Sequence, residues 1–309
     1  MNNLEEFLNK YFKKDDNIIL ACSTGPDSMY LLHKILETSY KDNLVVCYFN
    51  HKLRKEADKE EEFIEKLGKK LGFHVEIGTA DIKAIHKIIP SKSIEEIARE
   101  KRYAFFNAIL NIHNSKYILT AHHLDDKIET FFFNLLRGSK ITGLINMKEK
   151  SGAILRPLLN ITKNDILKYL EVNKLKYNID ITNLDKEITR NYLRLDIIPK
   201  LGKINSNFKE NIGNFMSYLE NVKDFIDIEV EKFLIKDGIF SVKEFKNLDL
   251  FLQKEVLRYI FFLRNNNSTI GLSESNINEI LRFINGKNNK TIKELKMLKM
   301  KKDGDKIYY

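Results

Sequence analysis

Four apolar runs, each leading into a helical pattern, constrain this chain more than any other feature of it. NIILAC (17–22), NLVVCYFN (43–50), HVEIGTAD (74–81) and KYILTAHH (116–123) read as β-strands. Helical spacing separates them over about 27–38, 56–71, 92–112 and 124–137, and Leu4, Phe7, Leu8 and Tyr11 mark a short helix ahead of the first strand. Runs that are apolar on both faces predict a parallel sheet covered by helices on both sides, an α/β fold. In such sheets ligands bind beyond the carboxyl ends of the strands. The polar motifs of this chain all fall at or just after such ends.

The pattern changes along the chain. From Gly143 to Gly202 it is less regular, with a short apolar piece, AILRPLL, a helix from about Thr162 to Asn173, and TNLDKEITRNYLRLDIIPKL. Beyond Asn205 it becomes helical: a long candidate at about 207–235, then LQKEVLRYIFFLR and SESNINEILRFIN. The lysine-rich tail TIKELKMLKMKKDGDKIYY carries a DG turn signal and predicts a β-hairpin. With 309 residues, the expectation is two domains: a nucleotide-binding α/β domain over 1–205 and a small, mostly helical one over 206–309.

At 43% hydrophobic residues the chain can bury a core, which excludes a disordered protein. A formal net charge of +9 favours a polyanionic partner, nucleic acid before membrane, although a Lys-, Asn- and Ile-rich composition also follows from biased codon usage. Cys22 and Cys47 form no CxxC and fall in predicted strands, where a buried, inert thiol is expected. The amino terminus has no signal-peptide core, and no apolar run reaches the roughly 18 residues of a membrane span. The expected location is cytoplasmic.

The first strand ends in Ser23-Thr24-Gly25-Pro26-Asp27-Ser28 and feeds a helix at once. A helix N-terminus offers unsatisfied N–H groups and a positive dipole end, so this junction makes an anion cup. The hydroxyls of Ser23 and Ser28 add donors, and Pro26 suits the first turn. Asp27 is the odd member, because a carboxylate repels phosphate unless a cation lies between, which points to Mg²⁺. The bland alternative is a helix capped by Ser23 or Asp27. The patterns GxxxxGK[ST] and GxGxxG are both absent.

Three further segments add chemistry. FNHKLRKEAD brings His51 and Arg54 to the end of the second strand. SIEEIAREKRYAFF carries Arg99, Arg102 and Tyr103; Glu95 and Arg99 have the spacing of a surface pair, while Arg102 is free to reach a phosphate. TAHHLDDKIETFFFNLLRG ends the fourth strand with His122 and His123 and opens a helix with Asp125, Asp126 and Glu129. Those carboxylates can share a helical face and suit Mg²⁺ or a cationic amine better than zinc.

The cluster at 23–28 resembles the SGGxDS pyrophosphate loop of the N-type ATP pyrophosphatases, with Thr24 where that motif has its first glycine. NHKLRKEAD, IEEIAREKRY, TAHHLDDKIETFFFNLLRGS, ILRPLL and DITNLDKEITRNYLR follow in order over about residues 15–200. Together they resemble the tRNA(Ile)-lysidine synthase family, in a short form. The last hundred residues resemble its helical substrate-binding domain only weakly.

The resemblance implies an ATP-dependent ligase. The C2 carbonyl oxygen of the wobble cytidine attacks the α-phosphate of ATP, pyrophosphate leaves, and the ε-amine of free lysine then displaces AMP. The partner implied is a CAU-anticodon isoleucine tRNA, whose reading changes from AUG to AUA; a homodimer is left open. Ser23, Thr24, Gly25, Pro26, Asp27 and Ser28 would hold the phosphates, and Asp27 with Asp125 or Asp126 the Mg²⁺. Asp126 and Glu129 would receive lysine, a carboxylate or histidine would take its proton, and Arg102 and Arg190 would contact phosphate or tRNA backbone. Arg190 and Arg194 are spaced for one helix face. Two rivals use the same fold: a tRNA thiolase, which generally needs a cysteine pair or an iron–sulfur cluster, and a non-catalytic RNA-binding protein, which has no use for clustered carboxylates.

Overall fold

The computed structural model describes residues 3–54, 56–145, 147–179, 189–234, 238–265, 271–287, 290–295 and 298–309. They divide into two compact units, 1–216 and 217–309. The DITNLDKEI portion of the last sequence segment, 180–188, lies outside the described residues.

The first unit begins with α1 (Asn3–Tyr11), β1 (Ile18–Ala21), α2 (Pro26–Leu36), β2 (Leu44–Asn50), α3 (Glu56–Leu71) and β3 (His74–Thr79). It continues through α4 (Ile82–Ile88), α5 (Ile94–Ile112), β4 (Ile118–Leu119), α6 (Leu124–Leu136), α7 (Ile141–Leu144), β5 (Lys150–Ser151), β6 (Ile154–Leu155) and α8 (Lys163–Val172). After α9 (Thr189–Tyr192), a π-helical turn over Leu193–Ile197 and α10 (Ile198–Ile204) comes the long α11 (Phe208–Phe233).

The six strands order as β3-β2-β1-β4-β6-β5, all parallel except β5. Alternation along β1 divides the core. Ile18 and Leu20 pack with Leu31, Leu32 and Ile35 of α2, whereas Ile19, Val45 and Cys47 pack with Phe106, Ile109 and Leu110 of α5. Burial on both faces is why these strands read as continuous apolar runs. The chain moves outward from β1 to β3 and then returns to place β4 on the other side of β1. The crevice at the carboxyl ends of β1 and β4 is therefore a topological switch point.

Two departures from the sequence expectation matter. The fourth strand shrinks to Ile118–Leu119 because the polar residues after it turn away to line the crevice: Thr120 Oγ1 meets His122 Nδ1 at 2.9 Å, and His123 becomes the N-cap of α6. An unexpected short helix, α4, is capped by Asp81, whose carboxylate accepts from Ala84 N at 2.9 Å. A capping box of Ser93 and Glu96 then starts α5.

The second unit contains the end of α11, then β7 (Ile239–Ser241), α12 (Val242–Asn247), α13 (Leu250–Arg264) and α14 (Glu274–Asn285). The tail forms β8 (Lys290–Leu295), β9 (Leu298–Asp303) and β10 (Lys306–Tyr308), which join β7 in an antiparallel sheet ordered β7-β10-β9-β8. The expected hairpin is present at β9–β10, where Gly304 takes a φ of +60°, and the sheet extends beyond it. Lys302 points inward on β9, and its Nζ donates to the carbonyls of Ile284 and Gly286 at the end of α14 (2.8 and 2.7 Å). Among the described residues, no helix is long and apolar enough to cross a membrane.

Candidate active site

The loop between β1 and α2 is organised by Ser28. Its buried hydroxyl donates to Gly25 O at 3.0 Å and accepts from Ser23 N at 3.2 Å, with Ser23 Oγ 3.4 Å away. Gly25 is the extended N-cap and Pro26 the first helical residue, so the amides of the first turn of α2 point out of the helix. The left-handed position is Thr24, with a φ of +62°. A β-branched residue is a rare occupant of that region. Thr24 is wholly buried, and its hydroxyl is engaged by Asn178 Nδ2 at 3.0 Å instead of facing the cup.

A second element approaches from β4 and α6. His123 Nδ1 accepts from Asp126 N at 3.4 Å, while Asp126 Oδ2 accepts from His123 N at 3.1 Å, a capping box. With Nδ1 accepting, Nε2 is the ring nitrogen that carries a proton. That atom lies 3.5 Å from Asp27 Oδ1 and 3.5 Å from Asp126 Oδ2, so one buried imidazole bridges the carboxylates of two helix starts. Lys163 Nζ, from α8, sits 2.5 Å from the same Asp27 oxygen.

Asp125 and Glu129 are committed elsewhere. Asp125 accepts from Lys163 N at 2.8 Å through one oxygen and from Lys209 Nζ through the other. Burial pushes its carboxyl up, but these partners outweigh burial and hold it below the usual range. Glu129 is almost fully buried and takes a bidentate pair from Arg194, at 2.6 Å (Nε) and 2.7 Å (Nη2). Burial pushes the Glu129 carboxyl up against the pull of Arg194, and the bonds to Glu129 hold the guanidinium charged. Arg194 Nη2 is also 3.6 Å from Asp126 Oδ1. The turn that carries Arg194 is π-helical, a feature frequent at functional sites.

Beside them a cavity of about 700 Å³ opens above the carboxyl ends of β1 and β2, lined by Ser23, Asp27, Ser28 and Asp126. The lining also holds Arg54, which pairs with Glu60 at 3.3 Å, Arg99, Arg102 and His51, with Tyr103 and Phe106 adding aromatic surface. Burial, together with Arg102 and Arg54, pushes the His51 imidazole down to about 4, so it is neutral at pH 7. Burial likewise lowers Arg102 and, with some opposition from Asp126, His122. Among the described residues, His51 Nδ1 and Arg156 Nε are buried without a hydrogen-bond partner. An orphaned polar atom of this kind costs about 1–3 kcal/mol, which a bound polar ligand recovers.

The expected residues thus separate. Ser23, Asp27, Ser28, Arg102 and Asp126 line the cavity, while Gly25 and Pro26 form the turn into α2. Asp125 and Glu129 are held by Lys209 and Arg194, and Arg190 lies along α6, donating to Thr130 Oγ1 at 2.6 Å. Lys163, Asn178 and Lys209 carry no motif signal, because each arrives from a distant element. The capping role of His123 was readable in principle from His-x-x-Asp at the start of a helix.

Residues 1–201 match the PP-loop domain family. The tRNA(Ile)-lysidine synthase of Chlorobaculum tepidum is 34% identical over 263 residues, covering 81% of this chain and 78% of that protein. That of Clostridium acetobutylicum is 33% identical over 298 residues, covering 91% and 62%. The bifunctional protein TilS/HprT of Listeria monocytogenes is 31% identical over 309 residues, covering 93% of this chain and 47% of that one. The chain thus spans about half to three-fifths of the length of several curated relatives. Among solved structures, the U34-tRNA thiolase NcsA from Methanococcus maripaludis aligns with a TM-score of 0.55 at 18% identity, covering 68% of this chain and 73% of that one, a likeness of fold alone.

Proposed function

This chain belongs to the tRNA(Ile)-lysidine synthase family of PP-loop proteins, and we propose that it joins lysine to C2 of the wobble cytidine of a CAU-anticodon isoleucine tRNA. The reaction consumes ATP, passes through an adenylated cytidine, and changes codon reading from AUG to AUA. One observation carries the reading most directly: Asp27 and Asp126, each 3.5 Å from His123 Nε2, share one cavity lining with Ser23, Ser28, Arg99 and Arg102.

In the first step the cytidine O2 attacks the α-phosphorus of ATP, and the bond to the bridging oxygen breaks to release pyrophosphate. The first-turn amides of α2, with Ser23 and Ser28, receive the charge that builds on the leaving group. Arg102 and its neighbours hold the remaining phosphate charge. In the second step the lysine ε-amine adds to C2, loses a proton, and AMP departs with the former O2. His123 Nδ1 is already engaged by Asp126 N, which leaves a carboxylate to accept that proton. Asp126 is the one in place, since Glu129 is occupied by Arg194.

The oxygen donor of Asp27, beside a phosphate cup, fits Mg²⁺, which binds through one or two carboxylates plus substrate phosphates. When bound there the ion neutralises phosphate charge. Asp125, with both oxygens engaged, serves instead to clasp α8 and α11 to α6.

The test is incorporation of labelled lysine into an isoleucine tRNA transcript bearing CAU, with ATP and Mg²⁺. Incorporation that needs ATP and falls at least 100-fold in Asp27→Asn, with tRNA still bound, is the expected result. A folded, tRNA-binding protein that transfers no lysine would overturn the assignment.

A further inference from the structure

At the end of the sheet away from the cavity, three donors converge on one point. His74 opens β3, Glu76 follows two residues later, and His113 caps the C-terminal end of α5. His74 Nε2 lies 3.0 Å and His113 Nε2 2.8 Å from the same oxygen, Oε1 of Glu76. The three donor atoms all fall within 4.8 Å of one another, and the two imidazole rings are 5.6 Å apart.

We propose that His74, Glu76 and His113 bind a divalent transition-metal ion of the zinc class. A tetrahedral ion with donors at about 2.0–2.1 Å needs neighbouring donors about 3.3 Å apart. Two of the three spacings are already within a few tenths of an ångström of that value, and side-chain rotation closes the third. Two imidazoles and one carboxylate make a zinc donor set with the fourth position left to water, and imidazole nitrogen disfavours Mg²⁺ or Ca²⁺.

The backbone holds the donors in place. Register fixes His74 opposite Val45 and Glu76 opposite Cys47. His113 is anchored by its own N–H to Ile109 O at 3.0 Å and by Asn17 Nδ2 to its carbonyl at 3.0 Å. The side chains are 59%, 27% and 17% exposed for His74, Glu76 and His113, which leaves an ion a path to solvent. None of the three lines the cavity, so this site is separate from the oxygen donors proposed for Mg²⁺. The ion would tie the start of the edge strand to the end of α5, the helix whose body carries Arg99 and Arg102.

Titration calorimetry of the full chain with Zn²⁺, without nucleotide or tRNA, tests this directly. One ion per chain is expected, with affinity reduced at least tenfold in His113→Ala and in His74→Gln. Equimolar Zn²⁺ is expected to raise the Tm of the native chain and to leave that of the variants unmoved. Thermal unfolding without metal checks that the variants fold. Replacement by Co²⁺ is expected to give the strong visible absorption of a tetrahedral ion. Absence of binding at micromolar Zn²⁺, or binding undiminished in His113→Ala, would overturn the proposal.

Discussion

Asn178 holds Thr24 at two points. Its backbone N–H donates to Thr24 O at 2.9 Å, and its side-chain amide donates to Thr24 Oγ1 at 3.0 Å. Thr24 sits at a φ of +62°, where a residue with a Cβ is disfavoured by about 1–2 kcal/mol. The related motif has glycine there, which meets that conformation without strain. In this chain the strain is offset from the segment after α8.

Asn178→Ala therefore strands the buried Thr24 hydroxyl and loosens the loop. The expected cost is about 1–3 kcal/mol in urea unfolding. ATP binding is expected to weaken severalfold more than tRNA binding. A double-mutant cycle with Thr24→Gly is expected to return a coupling of about 1 kcal/mol. Additive effects of the two substitutions would show that the contact does not set the loop.

The Glu129–Arg194 pair predicts a separation of stability from chemistry. Removing one partner of a fully buried pair costs about 3–5 kcal/mol. Arg194 is 35% exposed, so solvent screening reduces the expectation for Arg194→Ala to about 2 kcal/mol. Replacing both residues, Glu129→Met with Arg194→Leu, is expected to restore most of that stability. Lysine incorporation is expected to stay low in the double variant, because Arg194 also approaches Asp126. Thermal unfolding and the incorporation assay, run side by side, check both halves.

The parallel sheet and its loop were readable because strands buried on both faces advertise themselves as apolar runs, and because Ser-Thr-Gly-Pro-Asp-Ser interrupts one of them abruptly. Asp27, Ser28 and Asp126 all fell where strand ends meet helix starts, so topology alone carried them to one place, whereas Arg102 arrives from the body of α5. The tasks of Asp125 and Glu129 were not readable. Helical spacing tells which residues share a face, but not that Lys209 and Arg194, 84 and 65 residues downstream, neutralise them. Short elements hid for a related reason: α4 spans seven residues, too few for a periodic signal, and the tail strands alternate lysines with apolar residues that gain meaning only when paired.

The depressed imidazole of His51 predicts a pH dependence with a defined sign. Its folded value of about 4 lies below the unfolded value of about 6.5, so between those limits the unfolded chain binds more protons. The contribution is fully present above pH 6.5 and is lost as the pH falls toward 4. His51→Gln is expected to remove one proton's worth of slope from the unfolding free energy across that window. Urea unfolding at pH 7 and pH 5 measures it, and an unchanged slope in the variant would count against a neutral His51.

Arg102 supplies the last prediction, because its charge acts on both His51 and a bound anion. Among the described residues no carboxylate pairs with it, and its half-buried guanidinium stands in the cavity wall near Arg99 and His51. Arg102→Ala relieves the repulsion on His51, so the imidazole is expected to titrate at a higher pH, followed by its ring resonances in NMR. The same change removes a charge-assisted contact to phosphate, worth about 1.5–3 kcal/mol. The expected loss in kcat/KM for ATP is therefore about 10- to 100-fold. Arg102→Lys keeps the charge without the planar fork and is expected to fall between the two. If the His51 titration moves while kcat/KM for ATP does not, Arg102 tunes the pocket without touching the nucleotide.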